Sequence, residues 1–178
     1  MEKMSSIIRR EFKKGDDIRD AGLTAPDDVI RYKDIANGKD SAMQVLDVYR
    51  PKDTEGNLPV IVSVHGGGWV YGDKELYQYY CMSIAQRGFA VVNFTYRLAP
   101  EYQFPAPMED TNSVFAWILD NKNKYGMDVA NLFAVGDSAG GQILSLYADI
   151  CTNAEYAKEY DFQVPELSLI HISEPTRP

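Results

Sequence analysis

The sequence predicts an α/β fold, a mostly parallel sheet with helices on both faces. Three observations carry this. Continuous apolar runs at residues 58–64, 89–95 and 131–135 read as strands buried on both sides. Helical patterns at about residues 74–87, 108–124 and 139–150 alternate with them, as in a doubly wound sheet. Glycine-rich turns at residues 66–68 and 136–141 follow directly on two of the strands.

Residues 1–36 are charged and helix-permissive, with a break at Thr24, Ala25, Pro26, Asp27 and Asp28 before a short apolar-spaced segment. Residues 42–49 alternate, with Met43, Val45, Asp47 and Tyr49 opposed to Gln44, Leu46 and Val48, and read as an antiparallel edge strand; residues 51–57 read as a loop. The run Leu-Pro-Val-Ile-Val-Ser-Val at residues 58–64 is the first interior strand. The helix after it carries Tyr77, Tyr79 and Tyr80, and aromatics at that density read as packing; Trp69 alone is taken as a possible wall of a substrate pocket. After residues 89–95, Arg97 and Glu101 read either as a pair tying the following loop or as two separate surface charges. The run Asn-Leu-Phe-Ala-Val at residues 131–135 is the last interior strand, and Ile143, Leu144, Leu146, Tyr147 and Ile150 line the apolar face of the helix beyond it.

Composition excludes several classes of function. Of the 178 residues 45% are hydrophobic, ordinary for a globular chain, and the net charge of −8 argues against a nucleic-acid or anionic-membrane partner, which needs a basic face. No apolar run approaches the roughly 18 residues of a membrane span. The segment from Met1 to Ile8 lacks the apolar core of a signal peptide, so a cytoplasmic location is expected. Cys81 and Cys151 then read as free, partly buried thiols. No metal or cofactor is expected, because no residues show metal-ligand spacing and the chain has two histidines, His65 and His171. The oligomeric state stays open.

The chemistry sits in the two turns. Gly136, Asp137, Ser138, Ala139 and Gly140 place a serine between a strand and a helix, flanked by glycines where a side chain two residues away would strike neighbouring backbone. The amino end of the helix adds partial positive charge beside the hydroxyl. Upstream, Gly66, Gly67 and Gly68 follow His65, and three consecutive glycines let backbone N–H groups converge on one point, as an oxyanion hole requires. A phosphate loop would carry a Lys-Ser/Thr pair or a Gly-x-Gly-x-x-Gly spacing, and neither is present. Together the turns imply a serine nucleophile beside an anion cradle.

With Tyr96, Arg97, Leu98, Ala99, Pro100 and Glu101, then Phe104, Pro105, Ala106 and Pro107, and Trp117 in the next helix, the chain resembles the hormone-sensitive-lipase-like, or acetyl-esterase-like, branch of the α/β-hydrolases over residues 40–166. The resemblance implies that Ser138 is the nucleophile, that the N–H groups of Gly67, Gly68 and Ala139 hold the oxyanion, and that His65 orients the glycine loop without acting as the base. It also implies that residues 1–36 form part of a cap over the pocket; a frayed, solvated helix is the open alternative. Gln142 stands where many relatives carry Asn, and little consequence is expected because it lies beyond the elbow.

The same resemblance puts an Asp or Glu and then a His after the serine. Only 40 residues follow Ser138, and no strand and acid-bearing loop separates His171 from the elbow. Residues 167–178, moreover, resemble the in-frame translation of a transposase sequencing adapter. On that reading residues 1–166 are the N-terminal part of a single α/β-hydrolase domain, incomplete at the C-terminus, and His171 has no evolved role. The alternative is that the apolar, β-branched residues 167–172 are the next strand. The first reading leaves the strand at 131–135 without an outer neighbour. The expected function is hydrolysis of short-chain acyl esters through an acyl-enzyme, with the chain by itself close to inactive. An amidase on the same fold and a small-molecule receptor that has lost the histidine are the rival readings.

Overall fold

The computed structural model describes residues 3–40, 42–167 and 169–173. One six-stranded sheet, in the order β1-β2-β4-β3-β5-β6, organises it. The strands are β1 (Val29–Ala36), β2 (Val45–Pro51), β3 (Leu58–Val64), β4 (Ala90–Phe94), β5 (Met127–Gly136) and β6 (Leu169–Ser173). β4, β3, β5 and β6 are parallel to one another, whereas β2 is antiparallel to both β1 and β4. The helices are α1 (Met4–Asp20), α2 (Gln78–Ala85), α3 (Ala106–Tyr125), α4 (Ala139–Thr152) and the short α5 (Ala154–Ala157).

The pleat divides the core in two. Val60, Val62, Val64, Val92 and Phe94 pack against Phe115 and Ile118 of α3 and Ile143 and Tyr147 of α4. On the other face Val91 and Tyr49 pack against Cys81, Met82 and Ala85 of α2. Neighbouring residues such as Val91 and Val92 thus serve opposite faces, which is why the interior strands lack polar alternation. Each fully buried aliphatic side chain contributes about 1.5–3 kcal/mol. α1 has no buried residue and draws on none of this.

Three expectations are corrected. The strand read at 42–49 is not an edge: β2 pairs with β4 on one side and with β1 on the other. The true edge, β1, exposes Arg31, Tyr32, Lys33 and Asp34, and such charged residues discourage a further strand from adding to the edge. The helix read at 74–87 is a 3₁₀ turn, Lys74–Tyr77, followed by α2; the Asp73 carboxylate caps the turn by accepting from Glu75 N–H at 2.8 Å. Finally, β5 does have an outer neighbour, because β6 pairs with it in parallel from Leu132↔Leu169 to Val135↔Ser173. An apolar run with β-branched residues suits that ladder. Residues 168 and 174–178 of the segment read as foreign lie outside the described residues, as does the side chain of His171.

Cys81 is buried and Cys151 half-buried, both free as expected. Burial pushes the Cys81 thiol up to about 12, so it stays protonated and inert.

Candidate active site

Register brings the two turns together. β3 and β5 are in parallel pairing with Val64 opposite Gly136, so the glycine loop and the serine turn leave the same edge of the sheet side by side. Asp137 carries the chain from β5 into Ser138, where φ is 50° and ψ is −119°, a conformation that costs a non-glycine residue about 1–3 kcal/mol. Ser138 is exposed. α4 starts at once: Gly140 N–H donates to Asp137 O at 2.8 Å and Gln142 N–H to Ser138 O at 3.1 Å. A Cβ on Gly136 would lie 2.7 Å from the carbonyl carbon of Gly140, and one on Gly140 would strike the carbonyl oxygen of Val64. The glycines are therefore required by the closeness of strand to helix, as their spacing predicts.

The glycine loop is turned tightly. Gly67, Gly68 and Trp69 have φ of 118°, 61° and 68°, and the Gly67 carbonyl accepts from Val70 N–H at 3.3 Å and Tyr71 N–H at 3.1 Å. A Cβ on Gly66 would sit 3.0 Å from Asp137 Oδ2, so loop and elbow are in contact. The structure thus brings Ser138, Ala139, Gly67 and Gly68 to one corner, with Ala139 buried as the first residue of α4. The first N–H groups of a helix have no intrahelical acceptor and favour negative charge.

His65 is fully buried beneath this corner. Its ring stacks on Tyr96 with centroids 4.1 Å apart and 10° between the planes. Nδ1 lies 2.7 Å from the Gly66 carbonyl, which can only accept, so Nδ1 carries the proton. Burial holds the imidazole down at about 4, keeping it neutral. Among the described residues no imidazole hydrogen-bonds Ser138.

Trp69 is half-buried at the end of the loop, and its indole N–H donates to Gln142 Oε1 at 2.9 Å. The expectation that Gln142 matters little is therefore corrected: it ties the glycine loop to the elbow helix. One helical turn past Ser138, its side chain reaches back toward the loop, a direction that spacing alone does not give. The tyrosines divide. Tyr79 donates to Leu23 O at 3.0 Å, while Tyr77 donates to Asp137 Oδ1 at 2.5 Å. Tyr77 and Tyr80, with Ser63, Val64 and Val135, line a cavity of about 370 Å³ bordering Gly136 and Asp137.

Arg97 and Glu101 do not pair. Arg97 binds Asp110 at 2.9 Å and Glu109 at 2.6 Å, both at the start of α3, and Gln44 also donates to the fully buried Asp110 at 2.7 Å. Glu101 instead meets Arg9 of α1 at 2.6 Å, and that guanidinium holds its carboxyl down at about 2. Sequence reasoning also missed Lys74. Its buried ammonium reaches Asp34 at 2.8 Å and Asp47 at 3.0 Å, tying the chain beyond the glycine loop to β1 and β2. A buried charge is tolerated only with such partners.

Comparison with known proteins bears on this geometry. The family model described as BD-FAE matches residues 46–169, a span that includes both turns. The chain belongs to the BD-FAE family. Its fold is that of the esterase-like α/β-hydrolases, as the resemblance of the motifs implied. Esterase B from Lactobacillus rhamnosis, solved with a tributyrin phosphonate, superposes on this BD-FAE chain with a TM-score of 0.90 at 27% identity over 96% of this chain and 56% of that one. A hyperthermophilic esterase from Pyrobaculum calidifontis superposes with a TM-score of 0.70 at 33% identity over 85% and 49% of the two chains. Among curated proteins, the carboxylesterase NlhH of Mycobacterium tuberculosis is 38% identical over 58% of this chain and 33% of its own length. The ethyl acetate hydrolase of Pseudomonas putida is 27% identical over 95% and 48%. This BD-FAE chain thus spans about a third to a half of the length of those curated relatives. No helix among the described residues is long and apolar enough to cross a membrane.

Proposed function

We propose that the protein is a serine carboxylesterase that cleaves short-chain acyl esters through an acyl-enzyme. The observation that carries this is Ser138, exposed at a positive φ on the sheet edge where the glycine loop also emerges. The Ser138 hydroxyl attacks the ester carbonyl, and the N–H groups of Gly67, Gly68 and Ala139 stabilise the tetrahedral oxyanion. The alcohol leaves, and water hydrolyses the acyl-enzyme. His65 holds the glycine loop from beneath; a neutral ring locked between Tyr96 and the Gly66 carbonyl is a brace and not a proton shuttle. Relatives named for carboxylic esters and ethyl acetate favour small acyl groups.

Such a site also needs an acid and an imidazole base, which the family resemblance puts downstream of Ser138. The 178 residues by themselves are therefore expected to be slower than the complete machinery by a factor on the order of 10⁴ or more. The test is run on the chain extended through the downstream acid and imidazole, using p-nitrophenyl acetate and butyrate alongside the matching anilides, with peptide mapping after treatment with a phosphonate ester. Labelling on Ser138, with ester hydrolysis abolished by Ser138→Ala, supports the reading. Hydrolysis that survives Ser138→Ala would sink it, and preference for the anilides would make the protein an amidase.

A further inference from the structure

α1 presents one side to the site. Arg9, Phe12, Asp16 and Arg19 recur at helical spacing, and each touches residues 70–76 or 99–101, the chain that leaves the glycine loop and the chain that runs beside it. Phe12 meets the Tyr71 ring edge-to-face at 5.8 Å, the Tyr71 hydroxyl donates to Asp16 at 2.7 Å, and Arg19 donates to the Leu76 carbonyl at 2.8 Å. With no residue of α1 buried, docking rests on these contacts.

Arg9 is the centre of the face. Its Nε donates to the Val70 carbonyl at 2.7 Å and its Nη2 to the Ala99 carbonyl at 3.0 Å, while the far side of the fork meets both oxygens of Glu101 at 2.9 and 2.6 Å. Val70 follows Trp69 directly, and Ala99 N–H donates to the Trp69 carbonyl at 2.9 Å. One planar cation thus binds on both sides of the residue that closes the glycine loop. Val70 N–H in turn donates to Gly67 O, so a shift of residue 70 is passed to the residues whose N–H groups form the cradle.

We propose that Arg9 is a positioning residue for the glycine loop: by gripping the carbonyls of Val70 and Ala99 it couples order in the Gly67 and Gly68 N–H groups to the docking of α1. This rests on the reading of that loop as an oxyanion hole. A preorganised cradle stabilises a developing charge because its donors need no rearrangement, and a loop of glycines has little stiffness of its own. Lysine cannot replace the fork, because a single ammonium does not reach separate carbonyls and a carboxylate in one plane.

The test uses the 178-residue chain itself. Amide hydrogen exchange is compared for wild type, Arg9→Met, Arg9→Lys and Glu101→Gln, and Trp69 emission is followed in a Trp117→Phe background. In Arg9→Met, exchange at Val70 and Tyr71, whose N–H groups bond the Gly67 carbonyl, rises about tenfold, the scale of lost charged hydrogen bonds, while β3 and β4 are unchanged and Trp69 emission shifts. Arg9→Lys does not restore the loop. Glu101→Gln has a smaller effect, because both carbonyl bonds survive. The proposal is overturned if Arg9→Met opens α1 and leaves Val70 and Tyr71 protected, if β3 and β4 lose protection equally, or if Arg9→Lys matches wild type. None of these readouts involves catalysis, so the coupling and the hydrolase reading fail separately; hydrolysis that persists in Ser138→Ala sinks only the latter.

Discussion

The elbow at residues 136–140 and the glycine loop at residues 66–69 leave adjacent parallel strands at one edge of the sheet, yet they are held by different means. The elbow is set chiefly by backbone: strand and helix approach so closely that Gly136 and Gly140 have no room for a Cβ, and the one side-chain tie described there is Tyr77 to Asp137. The loop is set by side chains, two of the three from far along the chain. His65 braces it from below, Gln142 ties Trp69 from the helix after the elbow, and Arg9 grips its exit from α1. A serine held at a strained φ is fixed by local sterics, whereas the conformation of a run of glycines relies on tertiary support.

Removing the steric freedom of the elbow is expected to have the largest effect. Gly140→Ala drives a methyl into the Val64 carbonyl on β3, which cannot move without breaking the ladder, and should cost about 3 kcal/mol in chemical denaturation. A near-neutral result would show that the elbow relaxes, and the contrast with the loop would fail.

Acidification is expected to weaken the loop's brace nearly as much. Burial depresses His65 from 6.5 to about 4, so the unfolded chain takes up its proton first as pH falls. The contribution is fully present above pH 6.5 and is lost progressively down to about pH 4, roughly 3 kcal/mol in all. Denaturation midpoints measured across that window should lose this slope in His65→Asn; an unchanged slope would place the titrating group elsewhere.

Gly67→Ala should cost about 1–3 kcal/mol, because the residue sits at a φ of 118° and its methyl meets the Tyr71 carbonyl. If the loop is held less rigidly than the elbow, the loss shows as faster exchange at residues 66–71 before any fall in global stability. The smallest effect is expected for Gln142→Ala, about 1 kcal/mol for one hydrogen bond, read as a shift in Trp69 emission. Unaltered emission would remove Gln142 from the loop's supports.

The same division runs through what could be read from residues alone. The interior strands, α3, α4 and the elbow were legible because their causes are local: apolar runs, helical periodicity and glycines spaced for a close approach. β1 was not, since four of its eight residues are exposed charged or tyrosine side chains and only pairing with β2 makes them a strand. Whether Arg97 pairs with Glu101 stays open in the sequence, because nearness along the chain says nothing of Asp110 at the start of α3 or of Arg9 in α1. Gln142 was discounted for the same reason.

The residue order by itself determined an α/β sheet, a serine on a tight strand-to-helix bend and a run of glycines near it, because hydrophobic period and the missing Cβ act within a few residues. Which strand lies at the edge, which charges pair, and what holds the glycine loop in place were decided only by the folded chain. Those depend on contacts between residues 13 to 92 apart, from Arg97 with Asp110 to Arg9 with Glu101, and such encounters leave no periodic trace in the sequence.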